Sequence, residues 1–371
     1  MTASPLFRAH LMRASRRQQV TNKQRVMPMN QRRTPIPQPH QHTIMDCTVR
    51  DGAYSVNFQF DMKTIETLLA EISAAGLEWI EVGHGLGIRG NTIAESHITD
   101  LEWCGIASRH LPESCNWGMF AVADYTSPDD LEPLADAGMK YTRIGSDMTS
   151  YENVYDHVAR AKELGLTVFV NLMKSHVHDT EKAVEIAARI EDSCEPDGLY
   201  FVDSVGQFLP ERTAQLFGEA SRRLKTPLGF HGHNNLGLAN ANSLAAMNNG
   251  ASIVDCTLAG LGRDAGNAVL EHMAAVLELQ EGKRTYNTDA LAHTSEHCVS
   301  RLETLKADRE LQVLGAIYGL HSKNFPAITA AAEKHSLSPM QLMEAVKPTA
   351  YQKDLSTADI EAIAKSFRET E

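Results

Sequence analysis

The sequence predicts an α/β fold, a (β/α)8 TIM barrel, followed by a C-terminal helical domain. Short apolar runs alternate with longer amphipathic stretches, and the alternation repeats at a spacing of roughly 30 residues, as it does in parallel barrels. Several amphipathic stretches close with a glycine, as in Ala75-Gly76 and Ala137-Gly138, which is typical of the residue after a helix. Alternation alone is also compatible with an open doubly wound sheet, but eight repeats favour the barrel.

The predicted elements follow in chain order. The strands are Thr43–Val49, Trp79–Val82, Gly118–Ala123, Tyr141–Ile144, Thr167–Met173, Leu199–Val202, Leu228–His231 and Ile253–Leu258. The helices between and after them include Met62–Ala75, Asp129–Ala137, Tyr151–Leu164, Glu181–Ile190, Glu211–Arg223, Ala239–Asn248 and Asn267–Gln280. We therefore place the catalytic barrel at residues 43–284.

After Thr285 the pattern is helical without strands. The predicted helices are Asp289–Lys306, Ala316–His335, Pro339–Val346 and Thr357–Phe367. Residues 285–371 are expected to form a helical domain over or beside the barrel mouth.

The first 42 residues differ in composition from the rest. No acidic residue precedes Asp46, whereas this stretch holds eight Arg and Lys residues and is rich in Gln and Pro. Such a segment cannot bury a core, so residues 1–42 are expected to be a disordered basic tail. A dispensable tail, a start codon assigned too early and an Arg-rich targeting peptide all fit this composition.

Composition excludes several classes of function. The formal net charge of −12 argues against nucleic-acid binding, which depends on Lys and Arg neutralising phosphates. Since no apolar run approaches the ~18 residues of a membrane span, no membrane partner is expected. The six cysteines are scattered without disulfide-like spacing, which indicates reduced thiols in a cytoplasmic protein.

Two predicted strands end in residues that can bind metal. The first leads into Arg50-Asp51-Gly52 and the seventh into His231-Gly232-His233. Barrel active sites lie at the carboxyl ends of the strands, and alternation points His231 and His233 to the same side. Although an HxH pair alone is weak evidence, two imidazoles with the Asp51 carboxylate suit Mn²⁺, the expected ion, or Mg²⁺, Co²⁺ or Zn²⁺.

Arg50 has a chemical role at such a site. A chelated 2-oxo acid develops enolate charge when the adjacent bond breaks, and a guanidinium aimed at that oxygen stabilises it. A structural Arg50–Asp51 surface pair is the alternative. The glycine-rich stretch Ala259–Asn267 follows the last strand, where it could bind an anion or serve only close packing.

These residues carry a resemblance to a known family. The matching segments are Met45–Gly52, Glu81–Gly85, Leu172–His176, Val202–Gly206, Gly229–Asn249 and Asp255–Glu271. The chain from about residue 43 to 365 resembles the metal-dependent 4-hydroxy-2-oxovalerate aldolases. Their larger group includes isopropylmalate synthase, hydroxymethylglutaryl-CoA lyase and pyruvate carboxyltransferases.

The resemblance implies roles for individual residues. It implies that Asp51, His231 and His233 are the metal ligands and that Arg50 steadies the pyruvate enolate. Ser204 matches a position near the substrate carboxylate. His84 matches a histidine near the site, which could bind substrate, support the site from behind or act as a base. The C-terminal helices match a domain that docks an acylating aldehyde dehydrogenase and passes it the aldehyde.

Other branches of the group fit less well. The lyases place a cysteine where Arg263 and Asp264 stand, and the carboxyltransferases need a lysine at the position of Val202. The Claisen synthases carry Glu and Gln where this chain has Ala53 and Tyr54, although they share a charged last loop. A Claisen-type acyl-CoA:2-oxo acid synthase therefore stays open as an alternative. So does a non-catalytic barrel subunit that stabilises an aldehyde dehydrogenase.

The chain departs from the aldolases at the general base. They carry a histidine two residues after the Arg-Asp-Gly glycine, and this chain has Tyr54. A phenol is a poor base at neutral pH. His321 lies in Tyr318–Ser322, which resembles the family's tyrosine-bearing lid segment. We hypothesise a role swap in which His321 is the base and Tyr54 relays the proton. A different substrate, or an ordinary helix position for His321, would also explain the change.

The sequence thus predicts a class II aldolase, a carbon–carbon lyase. It would cleave or form a 4-hydroxy-2-oxo acid from pyruvate, or a homologue, and an aldehyde. The expected partners are these small molecules, an acylating aldehyde dehydrogenase and further subunits of a homo- or hetero-oligomer.

Overall fold

The computed structural model describes residues 36–37, 42–305 and 308–370. The predicted basic tail, residues 1–42, falls outside the described residues except for 36–37 and 42. Eight parallel strands close into a barrel in chain order, and β1 pairs with both β2 and β8. The closed barrel confirms the predicted fold class and excludes the open doubly wound sheet.

The eight strands alternate with helices throughout the barrel. The strands are β1 (Thr43–Asp46), β2 (Trp79–Glu81), β3 (Asn116–Val122), β4 (Tyr141–Asp147), β5 (Thr167–Met173), β6 (Gly198–Asp203), β7 (Leu228–Gly232) and β8 (Ala251–Cys256). The helices are α1 (Met62–Ala74), α2 (Asp100–His110), α3 (Glu132–Asp136), α4 (Tyr155–Glu163), α5 (Thr180–Cys194), α6 (Pro210–Arg223), α7 (Ala239–Asn248) and α8 (Leu270–Glu281).

Local sequence explains where several helices begin. The Asp61 side chain accepts from the Thr64 amide and caps α1, and Thr99 with Glu102 forms a capping box at the start of α2. Helix α2 was not among the helices predicted from the sequence. The predicted helix from Tyr151 starts as a 3-10 turn, and its α-helical part begins at Tyr155.

The barrel interior is filled at one end and open at the other. Aromatic side chains from early positions of their strands pack edge to face inside the barrel; they are Trp79, Tyr141, Phe169 and Tyr200. A second layer of apolar side chains packs between the strands and the surrounding helices. Functional groups are therefore left to the carboxyl ends of the strands, as in other TIM barrels.

Five helices follow the barrel: α9 (Thr288–His297), α10 (Arg309–Tyr318), α11 (Phe325–His335), α12 (Pro339–Ala350) and α13 (Thr357–Thr370). The first packs on the barrel, because Leu291 of α9 and the following Val299 belong to the barrel core. The last four share a separate core that runs from Leu320 to Ala364.

Two predicted C-terminal helices differ from the structure. The expected helix Ala316–His335 is interrupted, because α10 ends at Tyr318 with Gly319 in the left-handed region and α11 starts at Phe325, next to Pro326. The expected helix Asp289–Lys306 ends at His297, where a 3-10 turn and an extended stretch replace it.

All six cysteines are free. Within the described ranges, none of the helices is both long and apolar enough to cross a membrane.

Candidate active site and metal centre

A cavity of about 510 Å³ opens at the carboxyl ends of the strands. Its size is within the range of small-molecule sites. The sequence-predicted residues that line it are Arg50, Asp51, Tyr54, Ser204, His231, His233 and His321. The cavity is also lined by charged groups from the barrel and from the C-terminal region, namely Asp124, Asp147, Lys174, Lys323 and Asp354. His84 is buried but does not line this cavity.

Asp51, His231 and His233 converge as a candidate metal centre. All three are buried, and one ligand atom from each lies within 4.8 Å of the others. Asp51 Oδ1 is buried and has no hydrogen-bond partner among the described residues. Burial raises the pKa of Asp51, but nearby positive charge, that of Arg50 first, outweighs it and holds this pKa well below its usual range. Burial lowers the pKa of His233. An ionised carboxylate and a neutral imidazole are the forms that bind metal.

His231 is oriented by a residue of the neighbouring strand. Its Nδ1 lies 2.8 Å from Asp255 Oδ2, and its Nε2 lies 3.4 Å from Asp51 Oδ2. The contact with Asp255 keeps the proton on Nδ1 and leaves the Nε2 lone pair for a metal ion. A carboxylate behind a metal-binding histidine is the usual arrangement at such sites.

Arg50 is fixed beside the candidate metal ligands rather than paired at the surface. Its Nη1 donates to Asp51 Oδ2 at 3.0 Å and its Nε donates to Glu81 Oε2 at 2.6 Å. The guanidinium also lies 5.0 Å from the centre of the Phe120 ring. The side chain is 5% exposed, which argues against the alternative of a surface pair.

Ser204 follows β6, and its hydroxyl oxygen accepts a hydrogen bond from the backbone. The Lys174 amide donates to Ser204 Oγ at 2.8 Å, so the hydroxyl proton remains available to another acceptor. Lys174 itself has a positive φ of 54°, and its Nζ contacts Asp147 at 2.6 Å and also Asp354.

Tyr54 and His321 both reach the cavity. Burial raises the pKa of Tyr54 despite the nearby Arg263, whose guanidinium carbon lies 5.5 Å from the ring centre. His321 lies outside any α-helix, between α10 and α11. Its Nδ1 accepts from the Lys323 amide at 3.2 Å, so the neutral ring carries its proton on Nε2. Burial, and then Arg263 and Lys174, hold the pKa of His321 well below its usual value.

His84 occupies a position behind the cavity wall. Its ring stacks on Phe58 with centroids 4.4 Å apart, and its Nδ1 accepts from the Leu86 amide at 3.0 Å. Burial lowers its pKa.

The glycine-rich stretch wraps back on itself after β8. A Cβ atom on Gly266 would lie 1.9 Å from the Gly260 carbonyl oxygen, so close backbone packing explains this glycine. The stretch also brings Arg263 to the cavity, where its Nη2 donates to His233 Nε2 at 3.3 Å. A metal ion on that nitrogen would replace Arg263 at this contact.

Several buried charged residues that support the site were not predicted from the sequence. Glu81, Arg143 and Asp255 lie on strands β2, β4 and β8 with their side chains buried. A charged residue inside a strand that is otherwise apolar was the available signal, because such groups are buried only when they are paired.

Comparison with known proteins relates this site to characterised relatives. The chain matches the HMGL-like family over residues 41–298. It is 33% identical over 305 residues to 4-hydroxy-2-oxovalerate aldolase 2 of Rhodococcus opacus, which covers 81% of this chain and 87% of the relative. It is also 31% identical over 336 residues to the oxaloacetate decarboxylase of Mycobacterium tuberculosis, which covers 88% of this chain and 96% of the relative.

A solved structure agrees with the fold. The carboxyl transferase domain of Rhizobium etli pyruvate carboxylase, solved with pyruvate, superposes with a TM-score of 0.73 at 16% identity. The match covers 89% of this chain and 60% of that one, and at this identity it shows the fold alone. Because the family match spans most of the chain and includes the barrel that carries the site, the chain belongs to the HMGL-like family, among relatives named 4-hydroxy-2-oxovalerate aldolases, which are carbon–carbon lyases.

Proposed function

We propose that this protein is a metal-dependent aldolase. It would cleave a 4-hydroxy-2-oxo acid to pyruvate, or a homologue, and an aldehyde, or form the acid from these two molecules. The observation that carries the proposal is the convergence of Asp51, His231, His233 and Arg50 at one cavity. The relatives named 4-hydroxy-2-oxovalerate aldolase, which align over 81% of this chain, support it. They favour neither the Claisen synthase nor the non-catalytic subunit.

Arg50 and Ser204 would handle the two anionic parts of the 2-oxo acid. A divalent cation on Asp51, His231 and His233 would supply Lewis-acid stabilisation of the enolate. Asp51 and Glu81 occupy two donors of Arg50 and leave its other N–H groups for the enolate oxygen. The Ser204 hydroxyl, which already accepts from Lys174, can donate its proton to the substrate carboxylate. His84, away from the cavity, would support its wall through Phe58.

The general base is the open part of this mechanism. The proposed role swap needs a lone pair on His321, but its Nδ1 accepts from the Lys323 amide and its Nε2 carries the proton. His321 can therefore act as the base only if this hydrogen bond breaks. With the bond intact, it offers an N–H donor to the aldehyde oxygen. The pKa of Tyr54 is raised, so its phenol group stays protonated.

The state of these two residues favours a second candidate reaction at the same site, decarboxylation of a 2-oxo diacid. That reaction produces the same enolate but removes no proton from a hydroxyl group, so it does not need the missing base. The relative named oxaloacetate decarboxylase, which aligns over 88% of this chain, supports it.

One experiment separates the two reactions. Purified protein would be given 4-hydroxy-2-oxovalerate, longer 4-hydroxy-2-oxo acids or oxaloacetate, with Mn²⁺ or with EDTA, and pyruvate release would be measured. We expect metal-dependent release that Asp51→Asn abolishes. Release from oxaloacetate alone would replace the aldolase proposal with the decarboxylase, and release unaffected by EDTA and by Asp51→Asn would contradict both.

Finer assignments are part of the same proposal. Mn²⁺ is proposed as the ion, because a mixed nitrogen and oxygen ligand set suits it. An acylating aldehyde dehydrogenase partner and an oligomeric state rest on the resemblance of the C-terminal helices. A cytoplasmic location rests on the six unpaired cysteines.

A further inference from the structure

Arg143 lies in the interior of the barrel, on β4. Its side chain is fully buried and its guanidinium lies 4.4 Å from the centre of the Tyr200 ring. It does not line the cavity. The family resemblance assigned it no role. A buried guanidinium is costly unless it is paired on several sides, so its partners indicate its purpose.

The first partner of Arg143 is Asp255, which connects it to the metal ligand His231. Arg143 Nη2 donates to Asp255 Oδ2 at 2.5 Å, and the same oxygen accepts from His231 Nδ1 at 2.8 Å. Asp255 is thus fixed from one side by Arg143 while it fixes the ring of a metal ligand from the other.

The second partner of Arg143 is Glu81, which connects it to Arg50. Arg143 Nη1 lies 3.3 Å from Glu81 Oε2, and that oxygen also accepts from Arg50 Nε at 2.6 Å. Arg50 Nη1 in turn donates to Asp51 Oδ2, which lies 3.4 Å from His231 Nε2. The contacts therefore form a closed ring of six ionisable side chains: Arg143, Glu81, Arg50, Asp51, His231 and Asp255.

We propose that Arg143 is a positioning residue that sets the metal ligand His231 and the enolate-stabilising Arg50 in one mutual geometry. The inference rests on the metal site of the proposed function and extends it to a residue that touches neither metal nor substrate. A guanidinium suits this position because its planar fork presents two nitrogens to two carboxylates at once. The ammonium of a lysine is a single point of charge and cannot hold Glu81 and Asp255 in the same way.

The test is Arg143→Lys, followed by titration of the metal-free protein with Co²⁺ and by its visible absorption spectrum. We expect Co²⁺ affinity to fall about 10–100-fold, as it does when a residue behind a metal ligand is lost. The Co²⁺ spectrum should change because His231 is no longer held. At saturating Co²⁺, the kcat for pyruvate release should also fall, because Arg50 is displaced. Arg212→Lys, a second arginine that packs on an aromatic ring, is the matched control and should retain wild-type Co²⁺ affinity.

Double variants show whether the effect runs through the ring. The loss of Co²⁺ affinity in Arg143→Lys should nearly vanish when Asp255→Asn is already present, because both changes release His231. Should Arg143→Lys fail to fold, Glu81→Gln and Asp255→Asn give the same test, since the ring predicts that their effects on Co²⁺ affinity are not additive. Wild-type affinity and spectrum in folded Arg143→Lys, or additive effects in either pair, would overturn the proposal. Wild-type protein that binds no Co²⁺ would overturn the metal site as well.

Discussion

At the residue scale, we expect position 54 to determine which of the two proposed reactions the site performs. Tyr54 stands where the resemblance places the histidine base of the aldolases, and its partly buried phenol has a raised pKa. We expect Tyr54→Phe to lower pyruvate release less than about tenfold, because a group that holds its proton contributes little as a base. Tyr54→His should increase cleavage of 4-hydroxy-2-oxovalerate, since a well-placed base contributes about 10²–10⁴-fold.

The two substrates distinguish a missing base from a general disturbance. Decarboxylation of oxaloacetate, which needs no base at a hydroxyl group, should not gain from Tyr54→His. A loss of more than about a hundredfold in Tyr54→Phe, with Co²⁺ binding intact, would show instead that the phenol takes part in proton transfer.

The candidate metal ligands that were predicted from the sequence belong to recognisable motifs at or just after the carboxyl end of a strand. Asp51, His231 and His233 were found because strand ends meet at one rim of a barrel and because alternation places two histidines on one side. Glu81, Arg143 and Asp255 were not, since their contacts cross the barrel interior between strands that are far apart in the chain. The sequence around each of these residues does not show which buried acidic side chain pairs with which buried basic side chain.

At the element scale, the segment from Gly319 to Asn324 joins the C-terminal helices to the site. A long helix was predicted here because the apolar spacing continues through it, but Gly319 has a φ of 67° and ends α10. The break brings His321 to the cavity. Gly319 and Pro326 are the sequence signals for this break, although they were not used in the helix prediction. The resemblance to a lid segment had already associated His321 with the site.

Asp354 links this segment to the barrel. One carboxylate oxygen contacts Lys174 after β5 and the other accepts from Lys323 Nζ at 2.6 Å. We expect Asp354→Asn to speed amide hydrogen exchange in residues 319–325 several-fold and to raise KM for the oxo acid, because His321 is held less firmly. Glu361→Gln is the matched control, since Glu361 pairs with Lys334 and His335 inside the C-terminal domain. Equal exchange rates in Asp354→Asn and wild type would contradict a linking role.

His176 should make the same segment sensitive to acid. Its Nε2 donates to the Gly319 carbonyl at 3.2 Å, and burial lowers its pKa from 6.5 to about 3, with Arg212 and Lys174 adding to the shift. Because the folded-state pKa is below the unfolded one, this contribution to stability is complete above pH 6.5 and is lost progressively as the pH falls towards 3. At pH 5.5 the loss is about 1.4 kcal/mol.

Hydrogen exchange at pH 7.5 and 5.5, corrected for intrinsic rates, measures this effect. Residues 319–324 should open more readily at pH 5.5 in the wild type. In His176→Gln the amide can still donate to the Gly319 carbonyl but does not titrate, so this extra opening should disappear. Opening that increases equally in both proteins would assign the acid sensitivity to other groups.

At the scale of the whole molecule, the barrel and the C-terminal helices pack around separate cores, and residues from both parts line the cavity. The barrel core includes α9, while the core of α10–α13 is a separate cluster of buried side chains. Fold class could be predicted because eight repeats leave few other topologies. The packing of the C-terminal helices could not, because amphipathic helices show which face is buried but not what covers it.

Metal binding should stabilise the barrel selectively, because its ligands meet only when the barrel is closed. Asp51 follows β1, whereas His231 and His233 lie at β7, on the far side of β8. An ion present at 100 times its Kd adds about 2.7 kcal/mol to the free energy of unfolding, which corresponds to roughly 5–10 °C in Tm for a domain of this size. Calorimetry with Mn²⁺ and with EDTA should show this rise in wild type and not in Asp51→Asn. Asp124→Asn, a cavity carboxylate outside the metal ligands, should keep it. A Mn²⁺-dependent rise of the same size in Asp51→Asn would place the bound ion elsewhere.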